Sequence, residues 1–189
     1  PRTALESLYG NYTLGIYASI ATPATIVQSA ATWLYTPTIT VFTRNYIEKN
    51  KKAYFSLLVK ILALLAAVFA AILAGAALLG HWGLNLLFGG EIAEYSSLLI
   101  PVLLTTLLIA LSYFFGALLT ITRKLKVLLV ANAAAAALTL TLSRPLIRTF
   151  GMSGVNYVIY IAMGVNALIL LIALLLILNA HFNQPATEK

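Results

Sequence analysis

Seven hydroxyl residues, Thr22, Thr25, Ser29, Thr32, Thr36, Thr40 and Thr43, recur at three- and four-residue intervals. At the helical repeat they fall within an arc of about 80°, with Gln28 and Tyr35 at its edge. The stretch from Ser7 to Thr43 that carries them has no charged side chain. Hydroxyls and a primary amide cannot act as acid, base or activated nucleophile without a titratable partner. Their chemistry is the weak, neutral hydrogen bond, offered to water or to an uncharged polar ligand, and Gln28 brings four hydrogen-bonding sites that lipid cannot satisfy. A second reading of the same stripe stays open: Ser and Thr hydroxyls bond back to the preceding turn, and small residues let another helix approach closely. Pro23 and Pro37 lie inside the stretch, where each removes a backbone donor and predicts a kink.

The later apolar segments carry the same theme thinly. Thr105, Ser112, Gly116 and Thr120 share one helical face; Asn132, Thr139 and Ser143 share another, beside the run Ala133 to Ala137, which reads as a packing surface. Pro101 reads as a residue of a first helical turn. Gly151 and Gly154 read as a turn, followed by Asn156, Tyr157 and Tyr160 at a membrane interface. There is no Cys and no Asp, and no apolar segment contains Glu. A thiol nucleophile or disulfide is thereby excluded, and a coupling carboxylate would have to come from elsewhere. Lys60 is close enough to a segment end to snorkel, and His81 and His181 have no partner at ligand spacing, so no metal site or cofactor is expected.

The elements that must position these residues follow from composition. The chain is 61% hydrophobic and 9% charged, with mean hydropathy +0.96, against about 25% charged in soluble domains. A bilayer core needs roughly 20 apolar helical residues, and about five such spans are expected: 15–42, 57–79, 97–121, 127–142 and 155–180. The fourth is shortest because Lys126 and Arg144 bracket it. Leu- and Ala-rich runs lack the alternation of a barrel, so the expected fold is all-α, a polytopic membrane helix bundle.

Orientation follows the basic residues. Arg44, Lys49, Lys51, Lys52, Arg123, Lys124 and Lys126 mark two loops as cytoplasmic, against Arg2, Arg144 and Arg148 outside. The loop holding Glu91 and Glu94 has no basic residue and suits the outer face. The carboxyl terminus then lies inside and Pro1 outside, which predicts at least one span upstream. Net charge of +7 is accounted for by topology and membrane lipids rather than by nucleic acid.

The opening PRTALESLYGNYTLGIYASIATPATIVQSAA, with Pro1, Arg2, Glu6 and the segment Leu14 to Ala18, resembles the bacterial polysaccharide flippases. These are the O-antigen and capsule transporters of the multidrug/oligosaccharidyl-lipid/polysaccharide superfamily. Trp82 to Tyr95 and Phe150 to Tyr157 are similar to later loops of that family. The resemblance implies half of a two-bundle transporter, residues 1–189 forming the C-terminal bundle, in the bacterial inner membrane. It also implies movement of an undecaprenyl-pyrophosphate-linked oligosaccharide by alternating access, with the N-terminal bundle of the same protein as partner and no enzymatic step. Arg2 is the one residue carried over toward the pyrophosphate; its plainer role is an interfacial anchor or a pair with Glu6. Together with the stripe, the expected substrate-lining set is Arg2, Thr25, Gln28, Ser29, Thr32, Tyr35, Thr36, Asn132 and Asn156. A cation-coupled drug antiporter would want an intramembrane carboxylate. A membrane-embedded polysaccharide polymerase would want acidic or His residues clustered in a large loop, and a structural subunit would have little use for the stripe.

Overall fold

The computed structural model describes residues 1–183, and their regular structure is entirely helical. The order is α1 (Arg2–Tyr35), a 3-10 turn (Thr36–Thr38), α2 (Ile39–Ile47), α3 (Lys51–Phe88), α4 (Gly90–Ala93), a second 3-10 turn (Ser96–Leu98), α5 (Leu99–Ile121), α6 (Leu125–Phe150) and α7 (Met152–Asn183). The stretches Lys51–Phe88, Ser96–Ile121, Leu125–Phe150 and Met152–Asn183 are long and apolar enough to cross a membrane, as a multi-pass membrane protein requires. α1 has the length, but its hydroxyls and Gln28 dilute its apolarity below theirs.

α1 is two helical arms joined at Gly10, whose φ of 83° and ψ of 172° belong to a region open essentially only to glycine. The short arm runs beside the end of α6, where the Tyr9 hydroxyl lies 3.3 Å from the Ile147 and Arg148 carbonyl oxygens. After Gly10 the chain turns back as the long arm. The φ/ψ angles around Pro23 stay in the helical region, and Pro37 sits in the 3-10 turn that separates α1 from α2.

α3 turns Tyr54, Leu58, Ile61, Leu65 and Phe69 inward at three- and four-residue steps, while Val59, Leu64, Leu78 and Leu87 are exposed. In a bilayer the exposed face costs nothing, so packing alone decides which stripe turns inward. α5 is the hub: 56% of its apolar stretch is buried, against 11% for α6. α5 packs on α1 and α7, and α7 packs on α6. Gly154 lets α7 lie directly on the last turns of α6, because a Cβ there would sit 2.3 Å from the Leu146 carbonyl oxygen. Of the alanine run, Ala135 is buried, with Ala131 before it, while Ala133, Ala136 and Ala137 are exposed.

The expected fourth span ends too early. α6 runs through Arg144 and Pro145 to Phe150 and stops where Gly151 takes a φ of 58°. Arg144 is exposed, so its charge has an outlet and does not end the helix.

Long-range hydrogen bonds show that successive spans alternate in direction. At one end the Tyr12 hydroxyl donates to the Glu91 carboxylate, and that of Tyr160 to the Pro101 carbonyl at 2.7 Å. Donation to Glu91 holds the Tyr12 phenol above its ordinary pKa, because the bond is lost on ionisation. At the other end the His181 Nε2–H donates to the Tyr46 carbonyl at 2.9 Å, and the Lys51 ammonium reaches Asn183 Oδ1 at 3.5 Å. That second end collects Arg44, Lys49, Lys51, Lys52, Arg123, Lys124 and Lys126, and is the basic end. Its interior is aromatic: Phe42 meets Tyr54 and Phe114 edge-on, with centroids 5.0 and 6.0 Å apart.

Candidate functional site

α1 and α6 stand apart over a floor of α5 and α7, and the gap between them holds three adjoining cavities. The largest, about 450 Å³, lies midway along the groove. α1 contributes Arg2, Thr25 and Gln28, α5 contributes Thr105 and Thr106, and α6 contributes Thr139. The second, about 310 Å³, lies toward the basic end among Tyr35, Ser112, Gly116, Thr120, Asn132 and Asn166. Met163 borders both. The third, about 300 Å³, opens between the short arm of α1 and α6, lined by Ser7, Ser143 and Arg144, and shares Thr139 with the largest. From Leu128 to Arg144 along α6 the row extends about 24 Å at the helical rise, most of the thickness of a bilayer core.

The faces read from sequence meet here. Thr105, Ser112, Gly116 and Thr120 of α5 all line the groove, as do Asn132, Thr139 and Ser143 of α6. Of the nine candidate residues, Arg2, Thr25 and Gln28 line the large cavity, and Tyr35 and Asn132 the second. Ser29, Thr32 and Thr36 line none of the three; Ser29 and Thr36 are exposed and Thr32 is half-buried. Asn156 lies behind the wall at 1% exposure, where its Oδ1 accepts the Tyr17 hydroxyl at 2.8 Å.

The α1 stripe keeps its protons to itself. Thr22 donates to the Ala18 carbonyl at 2.9 Å, Thr25 to that of Thr22 at 2.7 Å, and Ser29 to that of Thr25 at 3.1 Å. Thr32, Thr36, Thr40 and Thr43 likewise donate within their own stretch of chain. Each hydroxyl oxygen still has lone pairs to offer, but of the seven only Thr25 lines one of the three cavities. Gln28, with no such internal bond, supplies the donors.

Asn166, Tyr17 and Thr106 belong to the site and were not singled out from the sequence. Asn166 Nδ2 donates to Asn132 Oδ1 at 2.9 Å, joining α7 to α6, while its own Oδ1 is buried without a partner. Asn156 Nδ2 is in the same position. Intramembrane amides were the available signal, since each must find a partner that neighbouring Leu and Ala cannot provide. Arg2 is the charged side chain of the large cavity, and Arg144 that of the third. Arg2 forms no ion pair with Glu6, and no acidic side chain lines any of the three cavities.

No family model matches the chain, and neither a curated protein nor a solved structure does.

Proposed function

We propose that this chain is the C-terminal half of a flippase that carries an undecaprenyl-pyrophosphate-linked oligosaccharide across the bacterial inner membrane by alternating access. The observation that carries the reading is the groove, about 24 Å long, walled by α1 and α6 and lined by hydroxyls and amides with no acidic side chain, with Arg2 lining its largest cavity. A sugar brings its own hydroxyl protons to the lone pairs of Thr25, Thr105, Thr106 and Thr139, and Gln28 offers donors in return. Many such bonds, each weak, hold a hydrated chain without trapping it. Arg2 suits the pyrophosphate, since a guanidinium pairs with phosphate through parallel donors. The polyprenyl tail stays in lipid beside α1 or α6, and the groove's open side faces the N-terminal bundle.

In this reading the basic end is cytoplasmic, by the excess of Lys and Arg there. The carboxyl terminus lies with it and Pro1 on the opposite side. No covalent step is required. The lack of any carboxylate in the three cavities weighs against a cation-coupled antiporter, and the same lack against a polymerase.

The test replaces Thr25→Val and Gln28→Leu together in cells whose surface polysaccharide depends on this protein. Polysaccharide should fall severalfold while membrane abundance of the protein holds. Unchanged polysaccharide would return the groove to a packing seam.

A further inference from the structure

A cavity outside the groove lies at the basic end. It has a volume of about 450 Å³ and is lined by Tyr46, Lys124, Leu176, Ile177, Ala180 and His181. Its lining divides in two. Leu176, Ile177 and Ala180 come from the last turns of α7, with Leu176 and Ala180 exposed. Beside them stands a polar frame. Tyr46 and His181 stack nearly parallel, centroids 3.9 Å apart and planes 13° from each other, and the His181 Nε2–H is spent on the Tyr46 carbonyl. The pair is therefore a fixed wall. Lys124, just before α6, is exposed and has no acidic partner among the described residues.

We propose that this cavity is a binding site for the headgroup of an anionic phospholipid, with the phosphate at Lys124 and the first acyl carbons along Leu176, Ile177 and Ala180. Three features select this occupant. An ammonium with no acidic partner among the described residues, at the end of a spanning helix, meets lipid phosphate at its own depth. The apolar wall continues the membrane-facing side of α7 and has no use for a free ion, but fits the chain attached to a headgroup. The surrounding charge also favours an anion: seven Lys and Arg side chains cluster at this end, with Glu48 their lone acidic neighbour among the described residues. The site is independent of the transport reading and survives if that reading fails.

The test is lipid retention by the purified full chain in native mass spectrometry, with dioleoyl phosphatidylglycerol and dioleoyl phosphatidylcholine supplied in equal amounts. The wild type should retain phosphatidylglycerol in preference. Lys124→Gln should weaken retention about fivefold, the factor one lysine contributes near an anionic surface. Ala180→Trp fills the cavity without changing charge and should do the same, whereas Lys52→Gln, exposed at the same end but outside the cavity, should leave retention unchanged. Helical circular dichroism confirms that each variant is folded. Equal loss in Lys52→Gln would overturn the site in favour of diffuse attraction. So would equal retention of the two lipids, or displacement by millimolar inorganic phosphate, which would mark the ligand as a free anion.

Discussion

From Thr22 to Thr43 each Ser and Thr hydroxyl hands its proton to a carbonyl of its own stretch of chain, as do Thr105, Thr106, Thr120 and Ser143 in α5 and α6, whereas the amides and a few other hydroxyls reach across to another helix. Asn166 bridges to Asn132, Tyr17 to Asn156, and the Ser112 hydroxyl to the Met163 carbonyl at 3.3 Å. The Ser and Thr stripe thus ties its helix to no neighbour, the cross-helix bonds of α1 coming from Tyr9, Tyr12 and Tyr17, while α6 and α7 are tied through an amide pair and α5 and α7 through Ser112. The number of hydroxyls in a helix says little about what holds that helix in place. A single amide with no local outlet says more.

Substitutions can break this contrast. Gly154→Ala should have the largest effect, because α7 must move off α6 to relieve contact with the Leu146 backbone. We expect a loss of about 3 kcal/mol in denaturant unfolding, at the upper end for an overpacked contact. A change too small to resolve would show that the two helices are not locked there. Asn166→Leu removes the amide bridge between α6 and α7 and should cost about 1 kcal/mol, typical of a hydrogen bond between membrane helices. On the hydroxyl stripe, the exposed Ser29→Ala and Thr36→Val should each shift stability by less than about 0.5 kcal/mol, as for surface sites. A larger loss, read from the same unfolding curves, would mean the stripe is a packing surface after all.

The smallest effect is expected at Tyr12. Its phenol is held above the usual pKa by the bond to Glu91, so the bond's contribution is present below the ordinary phenol range and lost as pH rises through the raised value. Tyr12→Phe should melt slightly earlier than wild type at neutral pH and coincide with it at strongly alkaline pH. A gap that persisted there would put the effect in packing rather than in the bond.

Much of the frame could be read in advance. The third span, expected from Ser97, matches the stretch Ser96–Ile121, because a clean apolar run is bounded by turn-forming and basic residues on either side. α6 was legible at its start but not at its end, since Arg144 and Pro145 look like a boundary in sequence and only the φ of Gly151 reveals the true one. Gly10 was hidden because the residues around it are all compatible with helix; nothing in their types announces a reversal. The faces of α5 and α6 were read correctly as polar, while the pairing of Asn132 with Asn166, 34 residues on, depends on tertiary placement. Asn156 shows the limit from the other side. An amide at a helix start suggested exposure to a ligand, and Tyr17, 139 residues before it, took up its oxygen instead.

Met163 is where the two larger chambers meet. Its backbone is anchored by Ser112, but its side chain is an unbranched thioether with three rotatable bonds. A side chain of this kind on the border of both chambers reorients far faster than a helix slides, which takes microseconds or longer. Local widening of the passage can keep pace with thermal motion of its contents, independently of any larger rearrangement of the bundle.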